Sequence, residues 1–194
     1  MSRKPRHQDP EAAILSAARR CFIERGIDAT VMQQVADEAR VGRSTLYRYF
    51  SNRDELLVAV VKRDIERANE VIRAELAQYD DPADVIVEGI VLALREIPAR
   101  PILRAVFASA RNSGARSVVW QSQLIVEFGE QLFEEVIAPA AARGLLQDRV
   151  PPEAMAQWIY RILISLLTLP SQWTDSEHDL RVTLRGLLVP VLLR

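Results

Sequence analysis

Hydrogen-bonding side chains are concentrated in one short run, residues 43–49, with the sequence Arg-Ser-Thr-Leu-Tyr-Arg-Tyr. Arginine can pair with guanine edges, hydroxyl groups can bind phosphates or bases, and tyrosine can contact a thymine methyl group or a phosphate. If the run is a helix, Leu46 and Phe50 lie together on one side. The opposite side then carries Ser44, Thr45, Arg48 and Tyr49. The run therefore predicts a short helix whose polar side can enter a major groove.

A second short helix is predicted immediately before this run. It begins after Thr30, the predicted N-cap, and its apolar side carries Met32, Val35, Ala36 and Ala39. The two helices are separated by Arg40, Val41 and Gly42. Two short helices with so short a connection form a helix-turn-helix, in which the second helix is the recognition helix. An ordinary helical hairpin with a hydrated polar side is the alternative that composition alone leaves open.

Residue types that carry out catalysis are few and scattered. The histidines are His7 and His178, and the single cysteine, Cys21, falls in an apolar stripe. No His, Cys and carboxylate residues have the spacing of a zinc site, and no glycine-rich phosphate loop is present. We therefore predict no enzyme activity, no cofactor and no bound metal.

Cysteine usage and hydropathy predict the compartment. A lone cysteine excludes an internal disulfide and is typical of a reducing environment. The polar stretch 2–10 is not followed by an apolar run, and the most apolar stretch, 158–169, is too short to span a bilayer. These features predict a soluble cytoplasmic protein.

Charge is distributed unevenly, although the net charge of the whole chain is only −1. Residues 1–53 hold ten Lys or Arg against six Asp or Glu, whereas residues 54–194 hold fifteen against twenty. A basic N-terminal part favours attraction to a phosphate backbone. Residues 1–8 form a basic arm that could follow a minor groove or could simply be a flexible terminus.

About the first 60 residues carry a set of motifs with intact spacing. The set consists of Ala13-Ile14-Leu15-Ser16-Ala17-Ala18, Phe22, Gly26, Thr30, Val35-Ala36, Ser44-Thr45-Leu46-Tyr47-Arg48-Tyr49-Phe50 and Asn52-Arg53-Asp54-Glu55-Leu56-Leu57. This set resembles the N-terminal domain of the TetR/AcrR family of transcriptional regulators. The resemblance implies DNA contacts from Thr30, Gln33, Arg43, Ser44, Thr45, Tyr47, Arg48, Tyr49 and Arg53.

The turn between the two helices departs from the family pattern. The family usually has glycine where Arg40 stands and a serine or threonine cap where Gly42 stands. Arg40 must then adopt a left-handed or otherwise adapted backbone, at a cost of about 1 kcal/mol. Gly42 is an acceptable but weaker cap.

Periodicity predicts an all-α protein of about nine helices in two domains. The helix-turn-helix DNA-binding domain is assigned to residues 1–53, and a helical ligand-binding and dimerisation domain to residues 54–194. One long helix from Asp54 to about Tyr79 joins them. The later helices are predicted over residues 83–97, 101–112, 117–143, 154–169 and 177–193.

The last two predicted helices have more apolar surface than a small domain can cover. A helix that is apolar on all sides must be buried on all sides, so a second copy with two-fold symmetry is the expected cover. The resemblance implies the same homodimer, through the two C-terminal helices, and a near-palindromic operator on double-stranded DNA. A deep core without a partner is the competing interpretation.

The leading hypothesis is a homodimeric repressor that a small, largely apolar molecule releases from DNA. The predicted pocket residues are Phe107, Trp120, Phe128 and Trp158. An activator is the alternative within this class. The alternative from another class is an all-helical carrier or enzyme for apolar ligands with an incidental basic N-terminus.

Overall fold

A computed structural model describes residues 9–108, 119, 123–169 and 176–194. Over these residues the chain is helical, and its extended pairing is limited to an isolated bridge between Leu146 and Leu193. The predicted all-α class is therefore confirmed.

Three short helices form the N-terminal part: α1 (Pro10–Arg25), α2 (Met32–Ala39) and α3 (Arg43–Tyr49). Asp9 caps α1 by accepting a hydrogen bond from the Glu11 backbone N–H at 3.1 Å, and Pro10 occupies the first turn, where no N–H is needed. Gly26 ends the helix with φ of 89°, which glycine adopts without a steric penalty. The core between the three helices consists of Ile14, Ala17, Ala18, Cys21, Phe22, Val35, Ala36, Leu46 and Phe50.

The long helix α4 (Arg53–Leu76) belongs to both parts of the molecule. Its 24 residues span about 36 Å, and Asn52 caps it by accepting from the Glu55 N–H at 2.9 Å. α4 packs against α1 and also against helices of the body. The three N-terminal helices are thus connected to the body through continuous helix.

The body is built from α5 (Pro82–Ala99), α6 (Pro101–Ala108), α7 (Leu124–Ala142), α8 (Pro152–Thr168), α9 (Glu177–Leu187) and α10 (Val189–Leu192). Counting the single turn α10 with α9, from which only Leu188 separates it, gives nine helices in the described part of the chain. α5 continues through Pro98 to Ala99, two residues beyond the predicted end at 97, and Arg100 separates it from α6. α7 begins at Leu124 in the structure, and most of the predicted start at 117–122 lies outside the described residues.

α5 is the central helix of the body. It contacts α4, α6, α7, α8, α9 and α10, and its residues 85–93 are all buried. The buried carboxylate of Glu88 accepts from Arg181 Nε at 2.7 Å and Arg181 Nη2 at 2.9 Å, which ties α5 to α9. A bidentate guanidinium pair satisfies a carboxylate that would otherwise be unpaired in the core.

The hydropathy of the helices also bears on the membrane question. In the residues that the structure describes, no helix is both long enough and apolar enough to cross a bilayer.

Candidate nucleic-acid interface

The turn between α2 and α3 has the unusual backbone that the sequence predicts. Arg40 lies in the left-handed region at φ 55° and ψ 40°, and its N–H donates to the Asp37 carbonyl at 3.1 Å. Gly42 is the N-cap of α3 at φ −67° and ψ 149°, with no side chain to accept from the first turn. Arg40 therefore adopts the left-handed backbone itself, and α3 begins without a side-chain cap.

α3 is divided into a buried side and an exposed side. Leu46 is 0% exposed and Phe50 is 5% exposed, so both belong to the core of the N-terminal part. The exposed residues of this helix are Arg43, Ser44, Tyr47 and Arg48. Thr45 and Tyr49 are half-buried, and Tyr49 packs against the core. The helix can present one polar surface to a partner while its other side holds it in place.

Two arginines of α3 lie over tyrosine rings of the same helix. The Cζ atom of Arg43 is 5.4 Å from the centre of the Tyr47 ring, and that of Arg48 is 5.2 Å from the centre of the Tyr49 ring. Cation–π contacts of this kind restrain the long side chains. Each guanidinium carries five N–H donors, which suit phosphates or base edges.

Thr30, for which a DNA contact is predicted, does not present its hydroxyl at the surface. Its side chain is 1% exposed, and its hydroxyl donates to the backbone, with the Gly26 carbonyl at 2.8 Å and the Cys21 carbonyl at 3.1 Å. The N-cap of α2 is Val31, whose N–H donates to the Gln34 side chain at 3.1 Å. Thr30 therefore joins α1 to the loop before α2.

Gln33 and Arg53 are placed differently from each other. Gln33 is exposed, and its Nε2 donates to Asp37 at 2.8 Å, a bond that leaves its carbonyl oxygen available. Arg53 is half-buried, and its Nη1 donates to the Asp28 carbonyl at 3.0 Å while Nη2 lies 3.4 Å from Asp54. Arg53 thus links the start of α4 to the loop after α1 by a hydrogen bond. Sequence reasoning missed this role, because the bonded carbonyl is 25 residues away.

A small apolar cavity of about 30 Å³ lies in the body. It is lined by Ile65, Ala68, Asn69, Ile97, Leu103, Phe107, Ile125, Phe128, Gly129, Leu132, Tyr160, Leu163 and Ile164. Of the predicted pocket residues, Phe107 and Phe128 line this cavity, and Trp120 lies outside the described residues. Trp158 does not line the cavity; its side chain is 57% exposed and lines a different surface.

That surface is an open groove formed by α8, α9 and α10, and we call it the C-terminal apolar face. It is lined by Trp158, Ile162, Leu166, Leu180, Thr183, Leu184, Leu187, Leu188 and Val191. Trp158 is 57% exposed, Val191 61% and Leu187 73%. Large contiguous apolar surfaces of this kind mark interaction sites in soluble proteins.

Burial is the main cause of a raised pKa at two of the described side chains. Burial, followed by the charge of Glu38, raises the pKa of Cys21, which makes its thiol less reactive. Burial, followed by the charge of Glu130, raises the pKa of Tyr160 to about 12. Within the described ranges, no three His, Cys, Asp or Glu side chains come together to hold a metal ion.

Fold and site together define a class of protein: an all-α body joined by a long helix to a helix-turn-helix with an exposed recognition surface. The family model for bacterial regulatory proteins of the tetR family matches residues 14–60. The chain is 30% identical over 179 residues to the uncharacterized HTH-type transcriptional regulator Rv1255c of Mycobacterium tuberculosis, covering 92% of this chain and 83% of that protein. The chain belongs to the TetR family and is a DNA-binding transcriptional regulator.

Solved structures show the same fold at low sequence identity. The fatty acid degradation regulator FadR from Bacillus halodurans is similar with a TM-score of 0.65 and 17% identity, over 95% of this chain and 98% of that chain. The structure of AibR in complex with isovaleryl coenzyme A and operator DNA is similar with a TM-score of 0.55 and 18% identity, over 94% and 99% of the two chains. At these identities the likeness concerns the fold.

Proposed function

We propose that the chain is a homodimeric repressor that binds a near-palindromic operator and is released by a small, largely apolar molecule. The observation that carries the proposal is the division of α3, in which Leu46 is fully buried and Arg43, Ser44, Tyr47 and Arg48 are exposed. A helix held this way can lie in a major groove with its polar side toward the bases.

The DNA contacts are assigned to the exposed and half-exposed side chains of the helix-turn-helix. The set is Gln33, Arg43, Ser44, Thr45, Tyr47, Arg48, Tyr49 and Arg53. Arg48 is the strongest candidate for a base contact, because it is exposed and a neighbouring ring restrains it. Arg53 contributes through the N–H groups that its two internal bonds leave unused. We place the boundary between the DNA-binding domain and the ligand-binding and dimerisation domain at residues 53 and 54.

The C-terminal apolar face supports the homodimer. Two copies related by a two-fold axis would cover each other's Trp158, Leu187 and Val191 with identical surfaces. Tryptophan in the centre of such an interface is a frequent source of binding energy. Two-fold symmetry would bring two α3 helices to one side of a duplex, which favours a palindromic site.

Relatives support the choice of repressor and of an effector. The HTH-type transcriptional repressor BepR of Brucella suis is 24% identical over 181 residues, covering 90% of this chain. The activator FasR of Mycolicibacterium smegmatis is 34% identical, but over 41% of this chain. The FadR of Thermus thermophilus, a repressor with the same fold, was solved with lauroyl-CoA. A ligand-responsive repressor is therefore the preferred function over the activator.

Selection of duplexes from a random pool by the purified chain tests the DNA-binding proposal. We expect a near-palindromic consensus, and Arg48→Ala should weaken binding to it by about 10- to 100-fold. Arg67→Ala is the matched control, because Arg67 is an exposed arginine of α4 about 21 Å along the axis from the start of that helix. Equal losses in both variants, or no enriched duplex, would favour the carrier hypothesis.

Sedimentation at known protomer concentration tests the homodimer. Leu187→Glu places a charge in the C-terminal apolar face and should yield monomers that no longer bind the selected duplex. Val182→Glu is the control, because Val182 is 57% exposed on α9 but does not line that face. Dimers that persist in Leu187→Glu would refute this interface.

A further inference from the structure

The described wall of the body cavity is uncharged. Helices α4, α5, α6, α7 and α8 all contribute to it, and every described residue that lines it is apolar except Asn69 and Tyr160. No Lys, Arg, His, Asp or Glu is among those residues. A charged group placed in such a site would be stripped of water without gaining a partner.

The two polar residues have hydrogen-bonding capacity left. Asn69 is 6% exposed, and its Nδ2 donates to the Phe128 carbonyl at 3.4 Å, while its side-chain oxygen accepts from no residue in the described part of the chain. Tyr160 is 7% exposed, and its hydroxyl bonds to none of the described residues. One acceptor and one hydroxyl are therefore available to a ligand.

Tyr160 controls how much space the cavity offers. A Cβ atom at Gly129 would lie 2.2 Å from Cδ2 of Tyr160, so the ring occupies the place where α7 lacks a side chain. The remaining 30 Å³ accommodates about one water molecule. A larger molecule therefore needs lining side chains to move, and the Tyr160 ring is the one that fills the space beside Gly129.

Among the described residues, three charged side chains interact with residues of this wall without belonging to it. Lys62 is exposed, and its Nζ is 5.9 Å from the centre of the Phe128 ring. Glu130 and Arg161 act on Tyr160 only through their charge, and Arg161 is exposed. None of these three residues lines the cavity.

We infer that the effector is a small uncharged molecule, mainly apolar, with one group that both donates and accepts hydrogen bonds, and that Asn69 and Tyr160 hold that group. Alcohols are the simplest members of this class. The inference rests on the proposed function, because it assigns the cavity as the effector site.

Calorimetric titration of the full chain with three six-carbon probes tests the inference without DNA. Hexan-1-ol, hexanoate and hexylammonium have the same apolar part and differ in the charge of the head group. We expect hexan-1-ol to bind and to raise the Tm, with the two ions at least 100-fold weaker. Asn69→Leu and Tyr160→Phe should each weaken hexan-1-ol binding about 10-fold. Gln157→Ala, at an exposed position of α8 outside the cavity, should leave it unchanged.

Circular dichroism first establishes that each variant folds. If Asn69→Leu does not fold, the test rests on Tyr160→Phe alone. Hexanoate that binds as tightly as hexan-1-ol would overturn the inference, because the site would then accept a charged head group. Absence of binding by all three probes, or hexan-1-ol affinity in both cavity variants equal to that of the unaltered chain, would also overturn it. None of these results changes the outcome of the duplex selection. The proposal that the chain is a DNA-binding repressor is therefore tested independently of this inference.

Discussion

An ion pair between Arg19 and Asp64 joins the N-terminal part to the long helix. Arg19 Nε lies 3.0 and 3.2 Å from the two carboxylate oxygens of Asp64, which is 1% exposed, while Arg19 is 33% exposed. Arg19→Met keeps the apolar stem and leaves the buried carboxylate without its cation. Removal of one partner of a buried pair destabilises a protein by 3–5 kcal/mol. We expect about 3 kcal/mol, because water can reach the aspartate through the space that the partly exposed arginine leaves.

Asp64→Asn should be less costly than Arg19→Met. The unpaired arginine is already one-third exposed, so it can be hydrated. The lost charge-assisted hydrogen bonds contribute about 2 kcal/mol. In the double variant no buried charge is left alone, so the two changes should not add, and the coupling between them should be about 2 kcal/mol.

Urea unfolding followed by circular dichroism measures all four proteins at one protomer concentration, since the proposed dimerisation would make stability depend on concentration. Hydrogen exchange supplies a second readout, because amides of α1 should open more often when the pair is broken. A coupling below about 0.5 kcal/mol, which is the scatter of independent sites, would refute the role assigned to this pair.

Three further predictions concern single positions. Gly129→Ala should destabilise the fold by about 1–3 kcal/mol in thermal unfolding, because the new Cβ would clash with the Tyr160 ring. The control Gly186→Ala should be neutral or stabilising, because a Cβ atom there has no atom within 4 Å. Equal effects of the two changes would show that the Tyr160 ring does not crowd position 129. Arg40→Gly should raise the free energy of unfolding by about 1 kcal/mol, because glycine adopts the left-handed backbone without strain. Gly42→Ser should raise it by a few tenths of a kcal/mol through a side-chain cap, since a Cβ atom there meets atoms no closer than 3.9 Å. Urea midpoints that do not rise would show that the turn is unstrained. The pKa of Tyr160 in the folded chain is raised to about 12, so its neutral form stabilises the fold below pH 10, and this stabilisation should be lost as pH rises from 10 to 12. In Tyr160→Phe the free energy of unfolding should fall by about 2 kcal/mol less over the same pH range. Identical pH profiles of the two proteins would contradict this prediction.

The helix-turn-helix could be predicted in detail because its signals are local. The alternation of Leu46 and Phe50 with polar residues, the short turn, and the glycine and proline positions all act within a few residues. The left-handed backbone of Arg40 follows from the same local geometry. Thr30 was predicted to be the N-cap of α2, because a hydroxyl just before a helix has that local pattern. In the structure its hydroxyl instead donates to the Cys21 and Gly26 carbonyls, which the fold brings close.

The body shows the limit of such signals. α5 and α8 are both strongly apolar in sequence, yet α5 is buried over residues 85–93 whereas α8 exposes Trp158. An apolar side chain has the same local pattern whether its own chain or a partner covers it. The position of Trp158 on the surface therefore could not be read from periodicity.

The sequence by itself determined the all-α class, the recognition helix and its neighbours, and the departure at the turn, since helix caps and periodicity depend on contacts between residues close in the chain. Only the tertiary structure decided which side chains share a cavity, that Tyr160 fills the space beside Gly129, and that Arg53 and Thr30 bind backbone carbonyls. These arrangements join residues up to 99 positions apart. Packing of whole helices sets such contacts, and no short stretch of sequence contains the information.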